Sequence, residues 1–324
     1  MSNLTDEHFR AAVELATRAP SLHNSQPWRF RRAGDTVDVC ADPARQLTVT
    51  DPTGRGVRLA CGAALLNLRL AFAAQGRPAM AELFPDHARP ELLARLTFGP
   101  DRPASPEDAA LVAAIPKRHS QRAPFLDAAV PPSHRAALTA AAEKESAVLA
   151  LVTDRSAVAN VAELVRSANA SLASRPGYLD ELRAWTRPDG PAEDGVPRGA
   201  GGPAPAPHEM LTRRDFGGAP APEHRRYESE PLLAVLCSLG DSPRDQVMAG
   251  QALQRVLLTA TSVGLVASML SQPIEVPAAR DQLRARLGHM TVPQMVLRIG
   301  FGHPGAVTPR RAADDVIDAG AELR

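Results

Sequence analysis

The sequence is short of lysine, aromatic residues and cysteine. Only two of its 37 basic residues are lysines, Lys117 and Lys144, and aromatic residues make up 4% of its 324 positions. Alanine, leucine and valine must therefore fill most of the core. The basic groups are almost all arginines, whose planar guanidinium suits phosphate. The three cysteines, Cys40, Cys61 and Cys237, lack CxxC spacing and are odd in number, which predicts free structural thiols in a reducing compartment.

A strong net charge and long hydrophobic runs are also absent. The formal net charge is +1, which argues against a broad nucleic-acid surface. No apolar run approaches the roughly 20 residues of a membrane span, and the N-terminus does not resemble a signal peptide. No group of His, Cys, Asp and Glu has metal-ligand spacing. We therefore expect a cytoplasmic protein without nucleic-acid, membrane or metal partners, built as one large domain or two similar units.

Apolar patterning predicts helices and strands along most of the chain. The predicted helices cover residues 5–18, 55–75, 132–145, 156–174 and 246–263, and another begins at Ser105-Pro106. The predicted strands cover residues 28–32, 36–41, 148–152, 232–236 and 294–299. Gly76 is placed to end the second helix in the left-handed conformation that glycine readily adopts.

Two windows of the sequence, Gly62–Gly76 and Gly250–Gly264, suggest an internal duplication. Their flanking glycines have the same spacing, and three Ala or Leu positions coincide, the first being Ala64 and Ala252. Beyond each window we expect the order strand, helix, strand. Helices rich in Ala and Leu also align by chance, so both interpretations stand. A true duplication would divide the chain into halves 1–104 and 105–324.

The segment 187–226 is dense in proline and glycine. Such composition cannot hold a regular helix or strand over Arg187–Glu223. A disordered linker is one interpretation. A lid is the other, because a loop this long inside a domain is often functional, and residues 210–216 and Tyr227 are placed to dock on the protein. The run Arg213-Arg214-Asp215 is interpreted as solvated surface.

Two motifs suggest a phosphate site. Arg118, Ser120 and Arg122 alternate along a segment predicted to be extended, which puts two guanidinium groups and a hydroxyl on one face. The pair Arg310-Arg311 follows the last strand and can close the same anion site. An RxSxR pattern alone also arises in any exposed basic loop.

The segment Ala19–Phe30 (APSLHNSQPWRF) is more specific. Its Pro-Ser and Gln-Pro pairs force extended backbone, which turns amides and carbonyls toward a planar ligand. His23 and His119 lie inside the two motifs, where a structural hydrogen-bonding role is the favoured interpretation for each. The GxGxxG match at Gly300–Gly305 opens no helix and contains a proline, so it does not indicate a dinucleotide site.

Together these motifs resemble the nitroreductase superfamily, and their arrangement is most similar to its Acg-like branch of single-chain proteins. In ordinary family members the RxSx(R/K) element comes first and the APSxxNxQPW element follows; here the order is reversed. The resemblance implies an α+β, nitroreductase-like fold of two fused half-units, each with a central mixed or antiparallel sheet flanked by helices. It also implies a single flavin mononucleotide (FMN) between the halves and a chain that is monomeric because the dimer is fused.

The resemblance also implies which residues bind FMN. They are Arg118, His119, Ser120, Arg122, Arg310 and Arg311 for the phosphate; Pro20, Ser21, Leu22 and Asn24 for the isoalloxazine and ribityl chain; and Met269, Leu270 and Ser271 near flavin N5. The usual Pro and Glu of the last segment appear here as Met269 and Ser271, a change that a backbone N–H donor, suspected near Ser271, survives. No catalytic side chain is implied, since flavin N5 carries the hydride.

The implied activity is that of an FMN-dependent oxidoreductase. Hydride would pass from NAD(P)H through flavin N5 to a small-molecule acceptor, nitroaromatic, quinone or a related electrophile. A non-enzymatic protein that sequesters FMN beneath a lid is the alternative. A third interpretation is an interaction scaffold that has lost the flavin site.

Overall fold

The structure is a computed structural model that describes residues 4–204, 210–218, 232–303 and 305–318. In these ranges the helices are α1 (Asp6–Ala16), α2 (Arg55–Ala74), α3 (Pro106–Ala114), α4 (Pro132–Glu143), α5 (Arg155–Ala173), α6 (Tyr178–Ala184), α7 (Pro243–Ser262), α8 (Gln272–Glu275), α9 (Pro277–Arg286) and α10 (Ala313–Val316). The strands are β1 (Trp28–Ala33), β2 (Thr36–Ala41), β3 (Ala79–Leu83), β4 (Leu92–Phe98), β5 (Val148–Val152), β6 (Thr186–Arg187), β7 (Val196–Pro197), β8 (Leu232–Ser238), β9 (Val266–Leu270) and β10 (Val292–Gly300).

Two four-stranded antiparallel sheets have the same strand order. The order is β1-β2-β4-β3 in the first sheet and β5-β8-β10-β9 in the second. Along the chain, a long helix follows the second strand of each sheet and precedes the third, α2 in the first and α7 in the second. The predicted α+β class with helix-flanked sheets is confirmed, and both sheets are antiparallel.

Helices α2 and α7 pack against each other where two glycines meet. A Cβ added to Gly62 would lie 2.1 Å from the carbonyl oxygen of Val247, and one added to Gly250 would lie 2.1 Å from that of Leu59. The two contacts are reciprocal, as at an interface related by a two-fold axis. Gly62 and Gly250 are also the equivalent first residues of the two aligned windows.

Several helix ends form where the sequence predicts them. The Thr5 side chain caps α1, and the Ser105 hydroxyl accepts a hydrogen bond from the amide of Asp108 at 3.0 Å, just before the proline that begins α3. Gly76 has φ of +77° after α2. These local signals act within one turn of helix, so tertiary context does not override them.

Two local predictions are wrong. No helix lies between β3 and β4. The order strand, helix, strand therefore holds only in the second sheet, where α8 and α9 separate β9 from β10. The segment from Arg187 is not wholly irregular either, because β6 and β7 pair in parallel between Thr186 and Val196. Both features depend on what the segment packs against rather than on its own composition.

The two inner strands of the second sheet are buried on both faces, whereas each sheet has an edge strand that contains exposed residues. Every residue of β8 and β10 is buried, as the continuous apolar run of β8 predicts, while β3 alternates between more and less exposed positions. The C-terminal segment returns to the first sheet. The backbone amide of Asp318 donates to the carbonyl of Phe30 at 2.8 Å, and Ala313 and Val316 join the core beside that sheet.

Burial also accounts for the longest apolar helix and for the cysteines. In the described part of the chain, α2 alone has the length and composition to cross a membrane, but 78% of its apolar window is buried inside the protein, as in a core helix.

All three cysteines are free and buried, and burial raises the pKa of Cys40 and of Cys237 to about 11. The free-thiol prediction is confirmed.

Candidate active site

A cavity of about 560 Å³ brings together residues distant in the sequence. Its wall contains the Pro20–His23 turn, residues 48–53, the first turn of α2, the junction of β9 with α8, and part of the segment 210–218. This volume lies within the usual range of small-molecule sites. The cavity therefore joins the Pro20–His23 turn and Arg122, one part of each predicted motif, to the segment predicted to lie near flavin N5.

The Pro20–Asn24 turn is held in an unusual backbone conformation. Ser21 is extended, as predicted, but Leu22–Asn24 form a single 3₁₀ turn, so the expectation of a wholly extended segment is wrong. His23, Asn24 and Gln26 have φ of 49°, 56° and 52°, values that non-glycine residues rarely adopt. Such strain persists only where surrounding contacts impose it, and it is concentrated at functional sites.

Hydrogen bonds from distant segments hold this turn. Asn24 Nδ2 donates to the carbonyls of Gly195 at 2.9 Å and Pro309 at 3.0 Å, and its Oδ1 accepts from Arg310 Nη1 at 3.0 Å. Gln26 Nε2 donates to the carbonyl of Glu193 at 2.7 Å. Asn24 does not line the cavity; it ties the turn to the C-terminal basic pair.

Arg118 and Arg310 meet beside the turn. Arg118 is 6% exposed and donates to the carbonyl of Arg18 at 3.0 Å. Arg310 Nη2 makes only long contacts, 3.5 Å to that same carbonyl and 3.4 Å to the carbonyl of Ala19. The Nε atoms of both arginines are buried without a hydrogen-bond partner. In the described ranges neither forms an ion pair with a carboxylate.

The charges of this group work against one another. Burial, and then the neighbouring charge of Arg122, lowers the pKa of Arg118 to about 10. Burial, followed by the charges of Arg118, Arg18 and Arg122, lowers the pKa of Arg310 to about 9. Both guanidinium groups still carry a positive charge at neutral pH. Like charges held together with unpartnered donors fit a bound dianion such as a phosphate ester.

The RxSxR segment lies against β9. Ser120 forms an isolated parallel bridge with Ala267, and the amide of Gln121 donates to the carbonyl of Ala267 at 2.9 Å. Arg122 lines the cavity, donates to the carbonyl of Ala200 at 2.9 Å, and lies over the ring of Phe216 at 5.2 Å. The segment thus runs from the Arg118–Arg310 pair into the cavity.

Two predicted site residues lie apart from this group. The side chain of Arg311 donates to the carbonyl of Asp315 at 2.5 Å, and its pKa is lowered by burial and then by Arg45 rather than by Arg118. His119 contacts the carbonyl of Lys117 at 3.0 Å and does not line the cavity. The backbone of Arg311 does contribute, because its amide donates to Gln26 Oε1 at 2.9 Å.

The three residues predicted near flavin N5 all line the cavity. Met269 and Leu270 end β9, and Ser271 precedes the first residue of α8. The pairing of β9 with β10 ends at Leu270, opposite Val296, so the backbone of Ser271 lies beyond that ladder. A cavity ligand can therefore approach this junction from the side of the Pro20–His23 turn.

Residues 187–204 and 210–218, here called the capping loop, dock on the protein, and Arg213, Arg214 and Phe216 line the cavity. Phe216 is 4% exposed and meets the His23 ring edge-on at 5.8 Å. The carboxylate of Asp194 accepts a hydrogen bond from Arg45 at 2.5 Å. This contact holds the other end of the loop against the segment that follows β2. These contacts are those of a docked element rather than of a linker. The predicted contact of Tyr227 lies outside the described residues.

The sequence interpretation missed the role of Arg213 and Arg214. They were expected on the solvated surface, but they are 5% and 8% exposed and line the cavity. Arg214 forms an ion pair with Glu275 at 2.6 Å and donates to His23 Nε2. Asp215 is exposed, as expected. The lid interpretation places residues 210–216 to dock on the protein, and Leu211 and Phe216 are buried there; what it misses is that the two arginines dock with them.

His23 is a neutral side chain in this wall. Burial, and then the charges of Arg214 and Arg122, holds its pKa well below the ordinary value. Because Arg214 donates to Nε2, the ring proton resides on Nδ1, which is buried and unpartnered. The favoured structural role of His23 accounts for this contact, and the residue also lines the cavity.

Comparison with known proteins places the chain in a family. No family model matches the sequence. "Putative NAD(P)H nitroreductase Rv3131" of Mycobacterium tuberculosis is 34% identical over 325 residues, covering 98% of this chain and 93% of the relative. "Putative NAD(P)H nitroreductase acg" of the same organism is 32% identical over 330 residues, covering 98% of each. The chain belongs to this nitroreductase family. The resemblance to its Acg-like branch is confirmed by full-length similarity to acg itself.

Solved structures give more distant matches. A nitroreductase with bound FMN from Desulfitobacterium hafniense is 15% identical, with a TM-score of 0.40, and the match covers 62% of this chain and 93% of that one. Membership of the family rests on the full-length relatives and not on this superposition.

Proposed function

We propose that the protein is an FMN-dependent NAD(P)H oxidoreductase that binds one FMN per chain. The observation that carries this proposal is the pair Arg118 and Arg310, which lie together beside the Pro20–Asn24 turn with buried Nε atoms that lack a hydrogen-bond partner. We propose that both face one anion position. Family membership supplies the expected cofactor, because the relatives are named as NAD(P)H nitroreductases.

The residues around the cavity fit the parts of FMN. Arg118 and Arg310 would hold the phosphate, and Asn24 orients Arg310 toward it. The Pro20–Leu22 backbone and the β9–α8 junction would face the ring. Ser120 is proposed to contribute to the phosphate site, whereas Arg311 and His119 would act through backbone and loop contacts. Bound FMN would supply hydride transfer at N5.

The protein's own contribution would be to bind, orient and exclude water. The cavity wall provides apolar surface from Leu59, Leu253 and Ile274, which suits a planar aromatic ring. A backbone amide near Ser271 would donate toward N5 without any ionisable group. Since protons can come from solvent, no general acid is needed, and the chemistry would tolerate nitroaromatic, quinone and related small acceptors.

A fused pseudo-dimer would explain the composite site. We propose that residues 1–104 and 105–324 derive from duplicated halves, supported by the common strand order of the two sheets and by the reciprocal Gly62–Gly250 contact. The first half would keep the ring-binding turn, and the second would keep the phosphate-binding segment. The reversed order of the motifs then follows from each half keeping the element that the other lost.

The visible spectrum of the purified protein tests the proposal. Bound FMN should give the yellow flavin spectrum, and NADPH or NADH added without oxygen should bleach it. Reoxidation by a nitroaromatic or a quinone then identifies the acceptor class. Protein that neither retains nor takes up FMN would contradict the proposal and favour the scaffold.

A flavin-sequestering protein is the second candidate. The docking of Phe216 and Arg214 on His23 favours it, because a cover held closed would keep nicotinamide from the ring. It predicts bound FMN that dithionite reduces but NADPH and NADH do not. The same spectroscopic experiment therefore separates the two candidates.

A further inference from the structure

The capping loop presents two arginines to the cavity wall. Arg213 Nη1 donates to the carbonyls of Pro203 at 2.8 Å and Arg122 at 3.4 Å, and Arg214 binds Glu275 and His23. Glu275 belongs to α8, the helix that follows the predicted N5 segment. The loop is thus fastened at one point to both ring-facing elements of the proposed flavin site.

Positive groups outnumber negative groups in this wall. Among the residues that line the cavity, six are arginines and two are carboxylates, Asp51 and Glu275. Arg55 and Arg280 form ion pairs with Asp241, and Arg214 forms one with Glu275. Burial, and then the charges of Arg214 and Arg213, lowers the pKa of Arg122 to about 10, so these three guanidinium groups lie close together. Burial alone would lower the pKa of Arg214, but Glu275 and Tyr178 raise it above its ordinary value, so Arg214 stays charged.

Concentrated positive charge in a water-poor wall favours a ligand that becomes negative. Bound FMN would accept a hydride, two electrons and one proton, from a reduced nicotinamide, which would leave as a cation. The flavin ring would then carry one negative charge unless a further proton came from solvent. Any cation close to the ring binds this reduced form more tightly than the oxidised form.

We propose that Arg213 and Arg214 make the capping loop part of the cofactor site, and that the loop closes more tightly on reduced than on oxidised FMN. The inference rests on the proposed function. By linkage, a loop that binds the reduced form more tightly must also raise the reduction potential of the flavin. The equilibrium between the open and closed loop would therefore depend on the charge of the cofactor.

Paired substitutions test the charge. The variant Arg213→Gln removes one net positive charge. The variant Arg214→Gln with Glu275→Gln removes an ion pair, which leaves the net charge unchanged and no buried carboxylate alone. The affinity of the apoprotein for oxidised FMN is measured by fluorescence titration, and the midpoint potential by equilibration with a reference dye. We expect the preference for reduced FMN to fall about tenfold in Arg213→Gln, which is about 30 mV for two electrons, and to fall less in the paired variant.

Two controls and a second readout separate charge from folding. Arg214→Lys keeps the charge and should retain most of the preference, and Arg198→Gln, in the same loop but outside the cavity wall, should leave it unchanged. Trypsin should cut the capping loop after Arg198, Arg213 and Arg214 more slowly in dithionite-reduced than in oxidised holoprotein. Equal cleavage in both states, or variants with the wild-type potential, would overturn the proposal while leaving the oxidoreductase intact. A wild-type protein that binds no FMN overturns both.

Discussion

Arg118 and Arg310 come from distant parts of the sequence and meet beside the carbonyl of Arg18. The Nε atom of each lacks a hydrogen-bond partner. Burial, and then a neighbouring cation, lowers the pKa of each and destabilises the folded apoprotein. A folded protein retains such a pair when a ligand neutralises it. We therefore expect the pair to destabilise the apoprotein and to stabilise the protein with FMN bound.

Replacing either arginine by alanine should weaken FMN binding. Arg118→Ala and Arg310→Ala should each lose roughly 1.5–3 kcal/mol of binding free energy, since a hydrogen bond to a charged group is worth about that much. The apoprotein's melting temperature should stay level or rise in Arg118→Ala and fall in Arg310→Ala, because Arg310 Nη1 also donates to Asn24 and Thr308. Fluorescence titration and thermal unfolding measure the two quantities. The matched control is Arg311→Ala, where we expect a smaller loss because that guanidinium binds the carbonyl of Asp315.

Asp241 should govern part of the acid stability. Burial alone would raise its pKa, but hydrogen bonds from Arg55 and Arg280 hold it far below the ordinary value of about 3.9. A depressed folded-state pKa gives stability that is fully present above about pH 4 and is lost as the pH falls further.

Asp241→Asn removes this titration. Relative to the variant, the wild-type free energy of unfolding should fall more steeply below about pH 4, and the difference between the two proteins should be constant from pH 5 to pH 7. Urea titrations at a series of pH values measure it. Parallel curves down to pH 3 would show that the ion pairs of Asp241 contribute nothing.

At the scale of elements, the contact of α2 with α7 carries the geometry of the site. Residues from the first turn of α2 line the cavity, and α7 leads directly into β9 and the Met269–Ser271 junction. The approach of the two helices depends on Gly62 and Gly250, which leave room for the facing carbonyls. Separating the helices would therefore move both walls of the cavity.

Gly62→Ala and Gly250→Ala should each destabilise the fold by about 1–3 kcal/mol, the usual cost of overpacking a tight interior. This exceeds the gain of about 1 kcal/mol that alanine brings to a helix interior. Denaturant midpoints measure the effect. Gly99→Ala is the control, since its nearest neighbour, the carbonyl oxygen of Pro78, would lie 3.7 Å from the added Cβ, and its stability should change by less than about 0.5 kcal/mol.

Element-level prediction succeeded where a signal is local and failed where packing decides. The Ser105-Pro106 pair and Gly76 fixed helix ends through caps that act within a few residues. The 3₁₀ turn at Leu22–Asn24 escaped prediction because its left-handed residues are held by the carbonyls of Gly195 and Pro309 and by Arg310. Those partners lie far away in the sequence, so the segment alone does not reveal them.

At the scale of the whole molecule, a composite site implies that FMN binding and global stability are coupled. Purified holoprotein should contain one FMN per chain, measured from flavin absorbance against protein concentration, and light scattering should give a monomer. Saturation at 100 times the dissociation constant should add about 2.7 kcal/mol to the free energy of unfolding. Two FMN per chain, or a flavin that stabilises only part of the unfolding transition, would contradict a single shared site.

The candidate site was predicted in part. The residues found from the sequence lie in two recognisable motifs and in the segment Met269–Ser271, and the structure brings most of them to one cavity and its margin. Arg213, Arg214 and Glu275 were not found. They belong to no motif, and an Arg-Arg-Asp run in a proline- and glycine-rich segment has the composition of solvated surface.

The sequence by itself determined the positions of most of the helices and strands and the chemistry of the two motifs, because caps, apolar periodicity and side-chain types act locally, and its resemblance to the nitroreductase superfamily gave the class of the fold. Only the tertiary structure decided that Arg118 and Arg310 lie together beside the Pro20–Asn24 turn, that the side chain of Arg311 lies apart from them, and that the capping loop buries two cations in the cavity wall. Charge and burial at these positions depend on groups far apart in the sequence, and the free energy of a buried charge is set by what surrounds it.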